Sequence, residues 1–169
     1  MRVASASEFR PVGLLRRLAA AQVDYVVIGG VAVVAHGYAR ATRDLDITYA
    51  TDAENLERLG GVLLVLHARL RGVADDVPVV PDARTLRHVQ LLTLDTDDGG
   101  LDLLVDPAGA APYEELKSRA DRIELDGSEI RVVALDDLLA MKRAAGRPQD
   151  LVDVGALETA RRIRDEGLR

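Results

Sequence analysis

The sequence predicts an α+β fold in which helices pack on one mainly antiparallel or mixed sheet. Three observations support this class. Apolar residues at helical spacing alternate with short β-branched runs up to Leu70, two hairpin signals follow, and two helical patterns end the chain. The chain has 169 residues, a usual size for one domain, so we expect a single domain over residues 1–169.

The first three elements are predicted as helix, strand and helix. Leucines at helical spacing indicate a helix from Glu8 to Ala21, with Pro11 in its first turn. The β-branched run Tyr25–Ile28 is typical of a buried strand, and we interpret Gly29-Gly30 after it as a turn. The small and apolar residues of Val31–His36 then favour a short helix.

The next part of the chain predicts a strand, a long helix and a loop. Polar and apolar residues alternate over Asp44–Tyr49, which indicates a half-buried strand. Leucines at helical spacing predict a helix from Ala53 to Leu70, and Asp52 is suited to cap it. The prolines and acids between Gly72 and Arg84 predict a surface loop.

Two hairpins, each turning at an Asp-Gly pair, are predicted in the second half of the chain. Their four strands are Arg87–Leu94, Leu101–Val105, Arg122–Leu125 and Glu129–Ala134. Two helices complete the chain, one over Leu135–Ala145 and one from Pro148 to about Arg164.

The composition excludes several classes of protein. The chain has no cysteine, which rules out disulfides, thiolate zinc sites and cysteine nucleophiles. Its net charge of −6 argues against a general polyanion-binding protein. No apolar run approaches the ~20 residues of a membrane span, and the N-terminus lacks the apolar core of a signal peptide. We therefore expect a cytoplasmic protein with no membrane partner.

The segment VVIGGVAVVAHGYARATRDLDI carries the strongest chemical signal. Asp44 and Asp46 are two apart on a predicted strand, so they share a face at ~6.6 Å along the backbone. Two ionised carboxylates this close repel each other, which raises one pKa unless a cation intervenes. Oxygen ligands suit Mg²⁺ or Mn²⁺. The alternative is a solvated strand face that carries two acids.

Two further features extend this signal. Gly29-Gly30, between a strand and a helix, would let backbone N–H groups approach a phosphate, although an ordinary turn also explains it. Asp102 lies inside an apolar run and is either a third metal ligand or a solvent-facing residue. Weaker candidates, nearer to loops, are Asp95, Asp98 and Asp106.

The stretch GG…TRDLDI resembles the signature of the DNA polymerase β-type nucleotidyltransferase superfamily, in which a Gly-Gly or Gly-Ser turn precedes Asp-hydrophobic-Asp-hydrophobic. Asp102 matches the later strand carboxylate of that superfamily. Residues 141–153, MKRAAGRPQDLVD, are similar to the Lys…Arg…Lys-Asp…Asp helices of the AbiEii-type branch, which includes toxins of type IV toxin–antitoxin pairs. Two positions depart from the relatives: Gly30 stands where serine is frequent, and Gln149 where lysine is frequent.

The resemblance implies a minimal nucleotidyltransferase fold and the transfer of a nucleoside monophosphate from an NTP to an acceptor. For the AbiEii-type branch the implied acceptor is the 3′ end of tRNA, with a cognate antitoxin as partner. Asp44 and Asp46 would hold two Mg²⁺ (or Mn²⁺) ions, while Asp102 would complete the metal site and act as base. The residues implied in nucleotide binding are Gly29, Gly30, Arg40, Thr42, Arg43, Lys142, Arg147 and Asp150.

Alternatives remain open at this level. One alternative is a regulatory module that binds a nucleotide without transferring it, and a second is an enzyme for a small acceptor such as an aminoglycoside. An acidic cleft beyond the three aspartates would favour the cationic antibiotic. A basic patch would favour RNA, and its candidate residues are Arg69, Arg71, Arg84 and Arg87. Lys142 also has a structural interpretation, as a cation near a helix C-terminus.

Overall fold

The computed structural model describes residues 8–73 and 81–168. The helices are α1 (Pro11–Ala20), α2 (Gly29–Ala35), α3 (Ala53–Val65), α4 (Ala83–His88), α5 (Tyr113–Arg119), α6 (Leu135–Ala145) and α7 (Pro148–Gly167). The strands are β1 (Tyr25–Ile28), β2 (Asp44–Tyr49), β3 (Arg69–Leu70), β4 (Leu91–Thr96), β5 (Gly99–Leu104), β6 (Asp121–Leu125) and β7 (Ser128–Val132).

The strands form one mixed sheet in the order β3-β4-β5-β2-β1-β7-β6. β2 runs antiparallel to β1 and parallel to β5, and β1 also pairs in parallel with β7. The predicted hairpins are present as β4–β5 and β6–β7, both antiparallel. The α+β fold with a mixed sheet is therefore confirmed.

Burial of apolar side chains explains why these segments adopt their structures. All four residues of β1 are buried, as a central strand requires. β2 and β5 alternate, with Leu45 and Ile47 buried on one and Leu101 and Leu103 on the other. Helices α1 and α3 cover the core with their leucines. None of the described helices combines the length and apolar character that crossing a bilayer requires.

The predicted long helix is wrong at its C-terminal end. Helix α3 begins after Asp52, whose side chain accepts a hydrogen bond from the backbone N–H of Asn55, but it ends at Val65 rather than Leu70. Arg69–Leu70 instead forms the edge strand β3 against β4. The leucine spacing continues to Leu70 because the strand, like the helix, buries part of that side chain against the core.

Other differences concern short elements. α2 begins at Gly29 itself, so the predicted turn at Gly29-Gly30 is the first turn of a helix. Arg87 belongs to α4, which Asp82 caps, and the strand predicted from Arg87 begins at Leu91. α5 was not predicted, since its seven residues are too few to show a clear period. Residues 74–80 of the predicted surface loop lie outside the described residues.

Candidate active site

Parallel pairing of two acidic strands brings three carboxylates together. Asp44 and Asp46 lie two apart on β2, and the register of β5 places Asp102 directly beside Asp46. One carboxylate oxygen from each of the three residues lies within 4.8 Å of the others. The buried leucines and isoleucine between these positions fix the register, because a slip of one residue would bury the acids. We call Asp44, Asp46 and Asp102 the acidic triad.

Gly29 and Gly30 let helix α2 begin against the Asp46 carboxylate. Gly29 has φ +65°, and a Cβ at this position would clash with the carboxylate of Asp46. The Gly30 N–H, which the sequence suggested for phosphate, donates a hydrogen bond to that carboxylate in this structure. The glycine pair therefore serves first to admit and to hold one member of the acidic triad.

The electrostatics of the triad disfavour its fully ionised form. Burial and the neighbouring charges of Asp102 and Asp44 raise the pKa of Asp46 to about 7, against opposing effects of the Gly30 N–H and Lys142. Burial also raises the pKa of Asp102 to about 6, although the Arg71 guanidinium opposes the rise. The carboxylates at this end of the sheet therefore carry negative charge that is only partly compensated.

The triad fits a divalent cation. All candidate ligands are carboxylate oxygens, the set that Mg²⁺ and Mn²⁺ prefer. The Oδ1 atom of Asp102 is buried and accepts no hydrogen bond within the described residues. A positive ion between the three side chains would bind this oxygen and offset both the burial and the repulsion that raise the pKa values of Asp46 and Asp102.

A second cluster, which combines basic side chains with two carboxylates, lies at the junction of α6 and α7. The Nζ of Lys142 is 2.9 Å from a carboxylate oxygen of Asp150 and 2.9 Å from one of Asp153, and all three side chains are buried. Arg147 binds Asp150 at 2.7 Å, and Arg40 binds Asp153 at 2.9 Å. We call these five residues the cation–carboxylate cluster.

Both acids of this cluster are held in the ionised form. Burial opposes ionisation of Asp150, but hydrogen bonds from Arg147 and Lys142 outweigh it and bring its pKa to about 2. Burial likewise opposes ionisation of Asp153, and donors from Gln149, Lys142 and Arg40 lower its pKa below the ordinary value. Lys142 is therefore neither a free cation nor only a helix-end charge, because it neutralises two buried carboxylates.

The acidic triad and four members of the cation–carboxylate cluster line one cavity of about 500 Å³. We call the part of the lining that holds the acidic triad the acidic wall, and the part that holds Arg40, Lys142 and Arg147 the positive wall. Every residue that the sequence proposed for the site lines this cavity except Arg43. Thr42 lies on its wall and donates from Oγ1 to the carbonyl of Asp44 at 3.2 Å. Arg43 is exposed and lines a neighbouring cavity instead, since adjacent residues of extended backbone point to opposite sides.

The sequence missed one residue at the triad, Arg71. Its guanidinium lies 3.4 Å from Asp44, 3.3 Å from Asp102 and 3.0 Å from Asp95. Arg71 therefore pairs with acids and does not belong to the basic patch in which the sequence analysis placed it. Asp95, which the sequence made a weaker candidate, shares this guanidinium with the triad. Only the pairing of β3 with β4 positions Arg71, and no local pattern shows that pairing.

Three strand carboxylates beside a strand–Gly-Gly–helix unit, on a mixed sheet of this order, define a nucleotidyltransferase domain. Residues 14–168 match the family model described as "Nucleotidyltransferase of unknown function (DUF6036)", and the chain belongs to this family. The match supports the superfamily that the sequence resembles and makes the protein a nucleotidyltransferase.

Solved structures share the fold. The lincosamide antibiotic adenylyltransferase LnuA, with lincomycin bound, has a TM-score of 0.60 at 16% identity, over 91% of this chain and 99% of that one. ANT(2")-Ia in complex with adenylyl-2"-tobramycin has a TM-score of 0.52 at 16% identity, over 89% and 88%. TM1012 from Thermotoga maritima, described as "a putative nucleotidyltransferase", has a TM-score of 0.50 at 16% identity, over 94% of both chains. No curated protein sequence matches the chain.

The first prediction concerns Gly29. Gly29→Ala should lower the free energy of unfolding by about 2 kcal/mol, because the left-handed backbone penalises a Cβ and the Asp46 carboxylate must move. Gly61→Ala is the matched control: it lies inside α3 with open space around it, and should stabilise the protein by up to ~1 kcal/mol. Urea denaturation measures both, and equal effects of the two variants would contradict this account of Gly29.

The second prediction concerns pH. The pKa of Asp46 is about 7 in the folded protein against an ordinary 3.8, so its ionisation costs folding free energy. The cost is absent below about pH 4, grows up to about pH 7 and is constant above. Asp46→Asn removes the charge while its amide oxygen still accepts from Gly30. Without metal, the variant should gain about 2–4 kcal/mol over the wild type between pH 4 and pH 8. A stability difference that stays constant across this range would show that Asp46 titrates normally.

The third prediction concerns Lys142. Lys142→Ala leaves Asp150 and Asp153 buried without their shared cation, so it should cost about 3 kcal/mol of stability. Arg143→Ala removes a cation from the same helix, but its partner Glu158 is exposed, and the cost should stay within ~1 kcal/mol. Thermal unfolding of both variants checks this. Similar melting temperatures would mean that the cation–carboxylate cluster does not stabilise the fold.

Proposed function

We propose that the protein transfers a nucleoside monophosphate from an NTP to a hydroxyl group of an acceptor and releases pyrophosphate. The observation that carries the proposal is the cavity itself, with the acidic triad on one wall and Arg40, Lys142 and Arg147 on the other. A metal-bound triphosphate has the matching charge distribution, with cations toward the acids and phosphates toward the basic side chains.

Asp44, Asp46 and Asp102 would hold two Mg²⁺ or Mn²⁺ ions. When bound, these ions stabilise charge on the phosphates and favour the ionised form of the acceptor hydroxyl. The chain's own contribution is the fixed spacing of the carboxylates, set by strand register. Asp102 accepts the proton of the acceptor, and its pKa of about 6 leaves it ionised at neutral pH.

The nucleotide would bind along the cation–carboxylate cluster. The Arg147 side chain is 74% exposed while its Nε and Nη2 donate to Asp150, so its Nη1 can reach a phosphate. Arg40 lies on the same wall, one-fifth exposed and anchored by Asp153. Lys142 is buried and acts through its positive field and by holding the two aspartates. Gly29, Gly30 and Thr42 would line the phosphates on the side of α2.

In the transfer step the acceptor oxygen forms a bond to the α-phosphorus. The bond from that phosphorus to the bridging oxygen of the β-phosphate breaks, and pyrophosphate leaves with the electron pair. The acceptor proton passes to the carboxylate of Asp102. Arg147 and the positive wall stabilise the charge that develops on the leaving group.

For the acceptor, the structure favours a small cationic molecule over RNA. Asp95 adds a fourth carboxylate beside the triad, and Arg71 faces these acids instead of joining a basic surface. The phosphates of an RNA would meet this negative region, whereas an amine-bearing polyhydroxy compound would find partners in it. Transfer to the 3′ end of tRNA by an AbiEii-type toxin with a cognate antitoxin, as the sequence resemblance implies, is the competing proposal.

The fourth prediction tests the reaction and the acceptor together. The protein is incubated with each α-labelled NTP and Mg²⁺, and with either total RNA or a panel of aminoglycosides. We expect label on a small cationic acceptor and a rate at least about 100-fold lower for Asp46→Asn. Arg122→Gln, which removes an exposed charge on β6, serves as the matched control and should retain the wild-type rate.

The other outcomes separate the alternatives. Label on tRNA-sized species that falls steeply with salt would support the RNA acceptor and contradict the small one. NTP binding without transfer to either class of acceptor would identify a nucleotide-binding regulatory module. Transfer that persists in Asp46→Asn would contradict the proposed metal site.

A further inference from the structure

The guanidinium of Arg71 contacts the acidic triad in the way that a bound metal ion would. Its Nη1 lies 3.4 Å from Asp44 Oδ2, and its Nη2 lies 3.3 Å from Asp102 Oδ1. The Nε atom binds Asp95 at 3.0 Å, and Nη2 also donates to the carbonyl of Leu94 at 3.0 Å. One guanidinium thus engages two of the three triad carboxylates and a fourth carboxylate beside them.

Arg71 contacts two of the three carboxylates that could hold a divalent ion. Asp102 Oδ1 is the buried oxygen that accepts no hydrogen bond, and the Arg71 guanidinium forms an ion pair with it. An ion that binds Asp44 and Asp102 must displace or repel a positive group only 3.3–3.4 Å from their oxygens. The metal and the guanidinium therefore compete for the same negative charge.

The surroundings give the Arg71 side chain room to leave the triad. At the triad itself Gly100 admits the guanidinium, because a Cβ at position 100 would clash with Arg71 Nη2. A second cavity, of about 450 Å³, adjoins the triad and is lined by Arg71, Asp95 and Gly100. Asp95 is half-exposed and can retain the guanidinium after it leaves the other two acids.

We propose that Arg71 is the counter-cation of the metal-free triad and sets the affinity of the site for metal. A divalent ion displaces the guanidinium from Asp44 and Asp102, and the side chain stays on Asp95 in the neighbouring cavity. This inference rests on the proposed function, since it takes the acidic triad to be the metal site. On this proposal Arg71 weakens metal binding, whereas a basic residue beside an acidic site would ordinarily be expected to bind the substrate.

The fifth prediction measures metal affinity without turnover. Mn²⁺ alone is titrated into the metal-free full chain, and free Mn²⁺ is followed by its EPR signal. Arg71→Gln should bind Mn²⁺ about tenfold more tightly than the wild type, a difference of about 1.4 kcal/mol. Arg122→Gln loses the same charge on the distant strand β6 and should match the wild type. Equal or weaker Mn²⁺ binding by Arg71→Gln would overturn the proposal and make Arg71 a residue that positions the carboxylates.

A second measurement uses the unaltered chain, in case Arg71→Gln does not fold. The Nη protons of Arg71, assigned by their loss in Arg71→Lys, should give separate NMR signals while acceptors hold the guanidinium. Saturating Mg²⁺ should merge these signals, because the two Nη groups, once released from Asp44 and Asp102, rotate while Nε stays on Asp95. Signals that stay separate at saturating Mg²⁺ would overturn the displacement.

The titration also separates failure of this inference from failure of the proposed function. If Asp46→Asn binds Mn²⁺ as the wild type does, the acidic triad is not the metal site and both proposals fall. If Asp46→Asn loses Mn²⁺ while Arg71→Gln binds it with unchanged affinity, the metal site stands and only the role of Arg71 is excluded.

Discussion

The parallel pairing of β2 with β5 is the constraint on which the site depends. It sets Asp46 beside Asp102, two acids far apart in the chain, and the buried apolar residues of both strands oppose the one-residue slip that would bury the acids. Apolar burial therefore holds like charges together against their repulsion. Burial, with the neighbouring carboxylates adding to it, raises the pKa values of Asp46 and Asp102, and the Gly30 N–H and the Arg71 guanidinium offset the rise only in part.

The second wall of the cavity has the opposite balance. Arg40, Lys142 and Arg147 supply three positive charges against the two negative charges of Asp150 and Asp153, so this cluster is net positive. The acidic wall has the three carboxylates of the triad and is net negative, since the Arg71 guanidinium behind it contacts two of them and also pairs with Asp95. Lys142 and Arg147 come from α6 and its junction with α7, Arg40 comes from the segment between α2 and β2, and the sheet carries the triad. The separation of charge therefore follows from the packing of the fold. A ligand that joins divalent cations to a polyphosphate complements both walls.

The sequence predicts those parts of the fold and site that depend on local pattern. The two-residue spacing of Asp44 and Asp46 and the Asp-Gly turns of the hairpins act within a few residues, and the strands and hairpins they predict are present. Arg71 was misplaced because leucine spacing extends the predicted helix to Leu70, whereas pairing with β4 decides the structure there. The bonds of Lys142 to Asp153 depend on the angle between two helices, which no periodicity encodes.

Proton, guanidinium and metal ion are three ways to neutralise the same triad. With a pKa of about 7, Asp46 is about half protonated at neutral pH without metal, while Arg71 compensates Asp44 and Asp102. On the proposal made above, a divalent ion would bind the ionised carboxylates, so its binding would release protons as well as the guanidinium. Part of the binding free energy of the ion is therefore offset by the cost of displacing the protons and the guanidinium. An ion delivered with a triphosphate overcomes this cost more readily, because the positive wall contributes binding free energy through the phosphates. The same charges that destabilise the empty fold thus favour the metal–nucleotide complex over either component alone.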